Sequence, residues 1–200
     1  MQMMLDKSVP YAELKMHRKA GSPIPDFPLP QGFRFAMFQD GNETDWARIE
    51  TSVGEFDTEF SALMRFKTDF MPHIEELRRR LVFIEACSPN DAPAIKVATA
   101  NAWWSMIDGK RRAWLHWVSV NPQYQGLGLG KALTAQVLKI MRDIDGDIDF
   151  WLSTQTWSYK AIDIYKKCGF EPTDEKILYG KKGDYKKALR ILAALEAKRI

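Results

Sequence analysis

Apolar residues in this chain recur with two periods, and the places where the period changes mark its elements. FRFAMF at 33–38 alternates closely enough for a first strand, followed by Gly41 and Asn42 as a turn and Thr44 as the N-cap of a short helix. From Glu59 to Leu81, Phe60, Leu63, Phe66 and Phe70 recur at helical spacing. Pro72 then restarts the turn, and Ile74, Leu77 and Leu81 continue it, so a helix pair or a broken helix is predicted. LVFIEA at 81–86, AIKVATANAWW at 94–104 and AWLHWVSV at 113–120 read as strands, with SPNDAP and MIDGKRR as their connections. Three such strands with short turns are most simply arranged as an antiparallel meander.

Beyond them, Leu133, Val137, Leu138 and Met141 mark one face of a helix that ends at Asp145-Gly146, and IDFWLST at 148–154 reads as a buried strand. Residues 157–167 return to helix and Gly169 ends it; Ile177–Tyr179 is predicted as a last strand and ALRILAALEAKRI as a C-terminal helix. A meander followed by strand, helix, strand, helix predicts an α+β domain with a mixed, mostly antiparallel sheet flanked by helices. Before all of this, GSPIPDFPLPQG at 21–32 carries four prolines and reads as an extended tether after a short N-terminal arm.

Composition narrows the function classes. The 200 residues are 46% hydrophobic and 28% charged with a net charge of +3, ordinary for a globular domain and too mildly basic and dispersed to predict a nucleic-acid binder. Cys87 and Cys168 form neither a disulfide framework nor a metal pair, and His17, His73 and His116 lack ligand spacing, so no metal is predicted. No stretch resembles a signal peptide or a membrane span, and a cytoplasmic protein with no membrane partner is expected.

The chemistry concentrates in VSVNPQYQGLGLGKALTAQVLKIM at 118–141, where three glycines in five positions separate a strand from a helix. A turn without Cβ atoms can aim several N–H groups at one point, and the helix dipole adds positive potential, so an anion such as phosphate fits. A P-loop would need glycine where Gln125 stands and a hydroxyl where Ala132 stands. A dinucleotide fingerprint would need G-x-G-x-x-G and an acid ending the next strand, which ends in Leu152, Ser153 and Thr154.

The stretch resembles the acyl-coenzyme A loop of the GNAT superfamily of N-acetyltransferases, whose motif of Gln or Arg, two residues, Gly, any residue, Gly or Ala is matched by Gln125, Gly128 and Gly130. Y-K-K-C-G-F at 165–170 resembles the family's Tyr-x-x-x-Gly-Phe segment in the same order along the chain. The resemblance covers about Phe33 to Phe170 and implies an acetyltransferase domain at 33–180, with 1–32 ahead of it and a helix at 184–200 packed on it. It implies a sheet splayed between the strands at 113–120 and 148–154. Val118, Ser119 and Val120 would pair with the pantetheine arm of acetyl-CoA, while Gly126, Leu127, Gly128, Leu129, Gly130 and Lys131 would hold its pyrophosphate beside Gln125.

By the same resemblance Tyr165 takes the position of the acid that protonates the departing thiolate; as a plain aromatic it would fill the gap beside Phe170. His116 stands where some family members relay the amine's proton; equally, it is a strand histidine among Trp114 and Trp117. Ser158 replaces an asparagine common in the family, and could cap the helix or give the coenzyme one hydrogen bond. Trp103, Trp104, Trp114, Trp117, Trp151 and Trp157 could wall an acceptor pocket, although tryptophans mostly fill cores; Glu55, Asp57 and Glu59 could attract a cation or simply start a helix. The implied function is direct acetyl transfer from acetyl-CoA to a primary amine of a small molecule, in a chain that could homodimerise. A protein or peptide acetyltransferase and a non-catalytic acyl-CoA sensor are the alternatives.

Overall fold

The computed structural model describes residues 5–87, 93–175 and 184–198. Seven strands form one sheet: β1 (Glu13–Arg18), β2 (Phe33–Met37), β3 (Leu81–Ala86), β4 (Ile95–Ile107), β5 (Lys110–Val120), β6 (Phe150–Gln155) and β7 (Glu171–Thr173). Their spatial order is β2-β3-β4-β5-β6-β1-β7, and every adjacent pair is antiparallel except β5 and β6. The helices are α1 (Glu43–Ser52), α2 (Glu59–Asp69), α3 (Ile74–Arg80), α4 (Leu129–Asp145), α5 (Tyr159–Lys167) and α6 (Tyr185–Ala197). The α+β architecture with a mostly antiparallel sheet is the predicted one.

The sheet is covered on both faces, so β3 can be apolar at consecutive positions. Val82 and Ile84 join a core with Leu133, Val137, Leu138, Met141, Ile162 and Ala188 from α4, α5 and α6. Leu81 and Phe83 point the other way, to Trp46, Ile49, Phe66 and Phe70 of the α1–α2 side. The β4–β5 hairpin turns at Asp108 and Gly109, both at positive φ (48° and 70°), which suits a two-residue hairpin and carries the strands further than predicted. The predicted helix break appears as a 3-10 turn at Met71–His73.

Three local expectations change. Residues 13–18 are not an arm but a strand buried on one face, lying between β6 and β7. Leu14 and Met16 alternate with Glu13, Lys15 and His17, a period-2 signal in plain view. The proline-rich 21–32 is extended, as predicted, yet Ile24, Phe27 and Leu29 pack on the core. The residue capping α1 is Asn42, with no side-chain cap bond; Thr44 Oγ1 instead donates to the Gly41 carbonyl at 3.1 Å. The predicted strand at Ile177–Tyr179 lies outside the described residues.

One buried charge ties the layers. The Arg80 guanidinium, 2% exposed, donates to both carboxylate oxygens of Asp145 at 2.8 Å, to the Ala102 carbonyl at 3.0 Å and to Glu76, so α3, β4 and the end of α4 share one cation. Removing one partner of such a pair strands the other. Arg80→Ala is expected to destabilise the fold by roughly 3–5 kcal/mol in denaturant titrations, and Arg80→Lys to recover little of it because the bidentate fork is lost.

Candidate active site

The site begins where β5 leaves β6. The two strands pair only at Trp114–Trp151 and Leu115–Leu152, then diverge. On its other edge, β5 pairs His116 with Asn101 and Ser119 with Thr99, so Trp117 and Val118 together face a single residue. That is a bulge, and Trp117 sits in it at φ 52°, a conformation costly for a bulky side chain. Phe56 stacks on its ring at 5.5 Å and Trp46 meets it edge-on at 5.4 Å, contacts that hold the strained residue in place. The splay implied by resemblance is therefore present, between the strands named for it.

The wedge opens into two clefts of about 250 Å³ each. The first is bounded by Val118–Val120, Gln125, Gly130, Thr134 and the Ser158–Tyr165 side of α5. The second is bounded by Trp114–Ser119, Leu152–Gln155, Glu50 and Glu55. Val118, Ser119, Glu55, Ser158, Ala161 and Tyr165 line both, so the clefts meet there.

The glycine turn lies at the mouth of the first cleft. Gly126 and Gly128 have φ of 84° and 86°, and Gly128 is the N-cap of α4. Gly130 is needed for a different reason: a Cβ there would stand 3.2 Å from Ile164 Cδ1, so its absence lets α5 pack close to α4 and sets the position of neighbouring Tyr165. The N–H groups of Lys131 and Ala132 turn back to the Gly128 carbonyl. Those of Leu129 and Gly130, in the first turn, have no intrahelical acceptor by construction and face outward with the positive helix end. Gln125 Nε2 donates to the Val120 carbonyl at 2.6 Å, anchoring the turn to the end of β5. Lys131 rests its ammonium 5.6 Å over the Phe27 ring. Leu127 is exposed at the turn's tip, while Leu129 is buried beneath it. This cradle of N–H donors suits a diphosphate.

Tyr165 is buried in the wall shared by the clefts and meets Phe170 edge-on at 6.3 Å, so it packs beside Phe170 and borders the site at once. Burial, and then the carboxylates Glu55 and Glu50, push its phenol above the ordinary tyrosine value and keep it protonated. His116 lines the second cleft with Nε2 3.4 Å from Ser105 Oγ. Burial, with Lys15 and Arg65 nearby, pushes its pKa down to about 4, so the imidazole is neutral and a weak proton acceptor at neutral pH. Ser158 precedes α5 without a side-chain cap bond; it lines both clefts instead.

Several residues of the site were missed. Glu50 is fully buried, its Oε2 accepts from Ser119 Oγ at 2.8 Å, and its Oε1 has no hydrogen-bond partner among the described residues. Burial, strengthened by Glu55, raises its pKa to about 8 against the Ser119 hydrogen bond. The signal was its place four residues after Trp46, on the buried face of α1. Glu59 does start α2 behind the Thr58 cap, but Glu55 lines both clefts and accepts from Gln155 at 3.4 Å. Leu5 and Asp6 wall the first cleft, their N–H groups donating to Val53 and Trp157 carbonyls across it. Of the tryptophans, Trp114 and Trp117 border the second cleft and Trp157 the first, while Trp103 and Trp104 stack on one another away from both. Among the described residues no group of His, Cys, Asp and Glu could hold a metal, and no helix is long and apolar enough to cross a membrane.

Comparison with known proteins follows the same outline. The mycothiol acetyltransferase of Salinispora arenicola is 26% identical over 170 residues, covering 78% of this chain and 50% of that protein. N-acetyltransferase 8F1 of Rattus norvegicus is 36% identical over 70 residues, covering 35% of this chain and 31% of the relative. The chain thus spans half the length of these relatives or less. Among solved structures, a GCN5-related N-acetyltransferase from Sphaerobacter thermophilus superposes with a TM-score of 0.63 at 18% identity, covering 82% of this chain and 49% of that one, a likeness of fold. The profile of the Acetyltransferase (GNAT) family matches residues 55–170, which hold the glycine turn, the splayed strands and Tyr165. This chain belongs to the GNAT acetyltransferase family.

Proposed function

We propose that the protein is an N-acetyltransferase that passes the acetyl group of acetyl-CoA directly to a primary amine of a small molecule, both substrates being bound at once. The observation carrying this reading is the meeting of two clefts at Tyr165, one opening on a turn of N–H donors and the other on carboxylates. The coenzyme supplies an activated thioester carbonyl and a thiol leaving group. Gly126, Leu127, Gly128, Leu129, Gly130 and Lys131 bind its diphosphate. The divergence of β5 from β6 frees the Val118–Val120 edge to pair with the pantetheine arm, beside Ser158. Holding the amine nitrogen against the carbonyl supplies about 7–11 kcal/mol of the barrier through positioning alone.

Tyr165 holds a proton at its hydroxyl for the departing sulfur. Its raised pKa does not defeat this role, because the same dry, carboxylate-bordered wall disfavours a thiolate as it disfavours a phenolate, and the two basicities rise together. The second cleft, at about 250 Å³, is small for a binding pocket and suits a small amine more than a peptide segment. The mycothiol acetyltransferases among the relatives support a small-molecule acceptor as well.

Acetyl-CoA is expected to raise the thermal midpoint of the protein, and a thiol-release screen over amines and peptides to show turnover with small amines; turnover with peptides alone overturns the acceptor class. Tyr165→Phe is expected to lower kcat by about 10²–10⁴-fold while leaving acetyl-CoA affinity unchanged, and unaltered turnover removes the acid role. Gly128→Ala forces a side chain into the left-handed region at φ 86°, and by disordering the turn it is expected to weaken acetyl-CoA binding about tenfold in calorimetric titration.

A further inference from the structure

An acceptor amine arrives as an ammonium ion, with no lone pair to attack a carbonyl until one proton has left. His116, the histidine on this wall, has been driven to the neutral form and binds protons weakly. A different pair of groups stands at the junction. Ser119 lines both clefts, and its Oγ donates its hydrogen to Glu50 Oε2 at 2.8 Å, which leaves the lone pairs of that oxygen to accept from an incoming group. Glu50 lies behind it, fully buried on α1, with Oε1 lacking any hydrogen-bond partner among the described residues. A buried carboxyl group with an unused oxygen is costly unless something compensates it.

We propose that Ser119 and Glu50 form the route by which the acceptor's ammonium group loses its proton: Ser119 Oγ takes the proton from nitrogen as its own hydrogen passes to the Glu50 carboxylate. The N–H bond breaks and leaves its electron pair on nitrogen as the attacking lone pair. One Ser119 O–H bond is made as another is broken, and a Glu50 O–H bond forms. The positive charge on nitrogen and the negative charge on Glu50 disappear together, so no ion is left stranded in the wedge. The inference rests on the N-acetyltransferase reading above. It makes Ser119 a catalytic residue as well as part of the coenzyme edge.

Titratable groups from several elements surround this dyad. Glu55 comes from the α1–α2 connection, Tyr165 from α5 and His116 from β5, while the cations of Lys15 on β1 and Arg65 on α2 act on His116. Burial first, and then the Glu55 carboxylate against the Ser119 hydrogen bond, leave Glu50 a carboxyl group poised near the working pH, as an efficient base requires.

The test uses the full chain and two acceptors, an ordinary alkylamine and a weakly basic amine that is already neutral at pH 7. Glu50→Gln is expected to lower kcat/KM for the alkylamine by about 10²–10⁴-fold, to leave acetyl-CoA affinity unchanged, and to affect the weakly basic amine at least about tenfold less, since that acceptor needs no prior deprotonation. The wild-type rate should climb with pH along a limb centred near 8, which the Gln variant lacks.

A second readout needs no turnover. A carboxyl group whose pKa is raised from 4.5 to about 8 on folding contributes stability that is complete below 4.5 and lost as pH rises through 8. The thermal midpoint of Glu50→Gln should therefore gain on wild type as pH rises from 4.5 to about 8, and level off beyond it. If Glu50→Gln does not fold, Ser119→Ala carries the kinetic test, with a smaller loss and the same dependence on amine basicity. Equal defects for both amines, a pH limb that survives Glu50→Gln, or a limb abolished by His116→Ala alone overturns the proposal. A wild-type protein that binds acetyl-CoA but releases thiol with no amine overturns the acetyltransferase reading itself, and this one with it.

Discussion

Two strands that run side by side for only two residue pairs and then separate are the constraint on which this molecule is built. Backbone groups in a sheet interior are ordinarily consumed by their neighbours. Past Leu115 and Leu152 those of β5 facing β6 are released, and the wedge between the strands becomes the place where two ligands can meet. The bulge at Trp117 bends β5 at that point, and its positive φ, a strain of about 1–3 kcal/mol, is held by the aromatic packing of Trp46, Phe56 and Trp117 from the α1 side. The α1–α2 layer thus has two tasks: it covers the sheet and it braces the distortion.

Dryness at the wedge acts on every titratable group in the same way, by penalising charge. A phenol and a carboxylic acid respond by holding their protons, and an imidazole by giving its proton up. Tyr165, Glu50 and His116 accordingly shift up, up and down. The outcome is a site in which burial keeps the phenol, the carboxyl group and the imidazole toward their uncharged forms, with Glu50 titrating between the other two. Such a setting favours transfer between neutral partners over the stabilising of ions.

The glycine turn shows how one motif can serve separate physical demands. Gly126 and Gly128 supply left-handed backbone that directs N–H groups outward, whereas Gly130 gives clearance to Ile164 and so fixes how closely α5, with Tyr165, approaches α4. The turn and the tyrosine are coupled through that contact, 34 residues apart in sequence at Gly130 and Ile164. Gln125 completes the coupling by binding the turn to the Val120 carbonyl at the end of β5.

Local patterns were enough to specify most elements. The apolar period of α4, the continuous run of β3 and the Asp108-Gly109 turn are each readable from nearest neighbours, and the glycine turn with Tyr165 was legible as a motif because a motif is defined by spacing along the chain. The strand at 13–18 carried its own alternation, but its place between β6 and β7 depends on partners more than 130 residues away, which no local period records. Glu50 is the clearest case. Sequence by itself determined only that Glu50 stands four residues after Trp46 along a short helix; the tertiary structure decided that this face would be buried and meet Ser119 at the wedge, because a carboxyl group's acidity and use are set by what surrounds it in space.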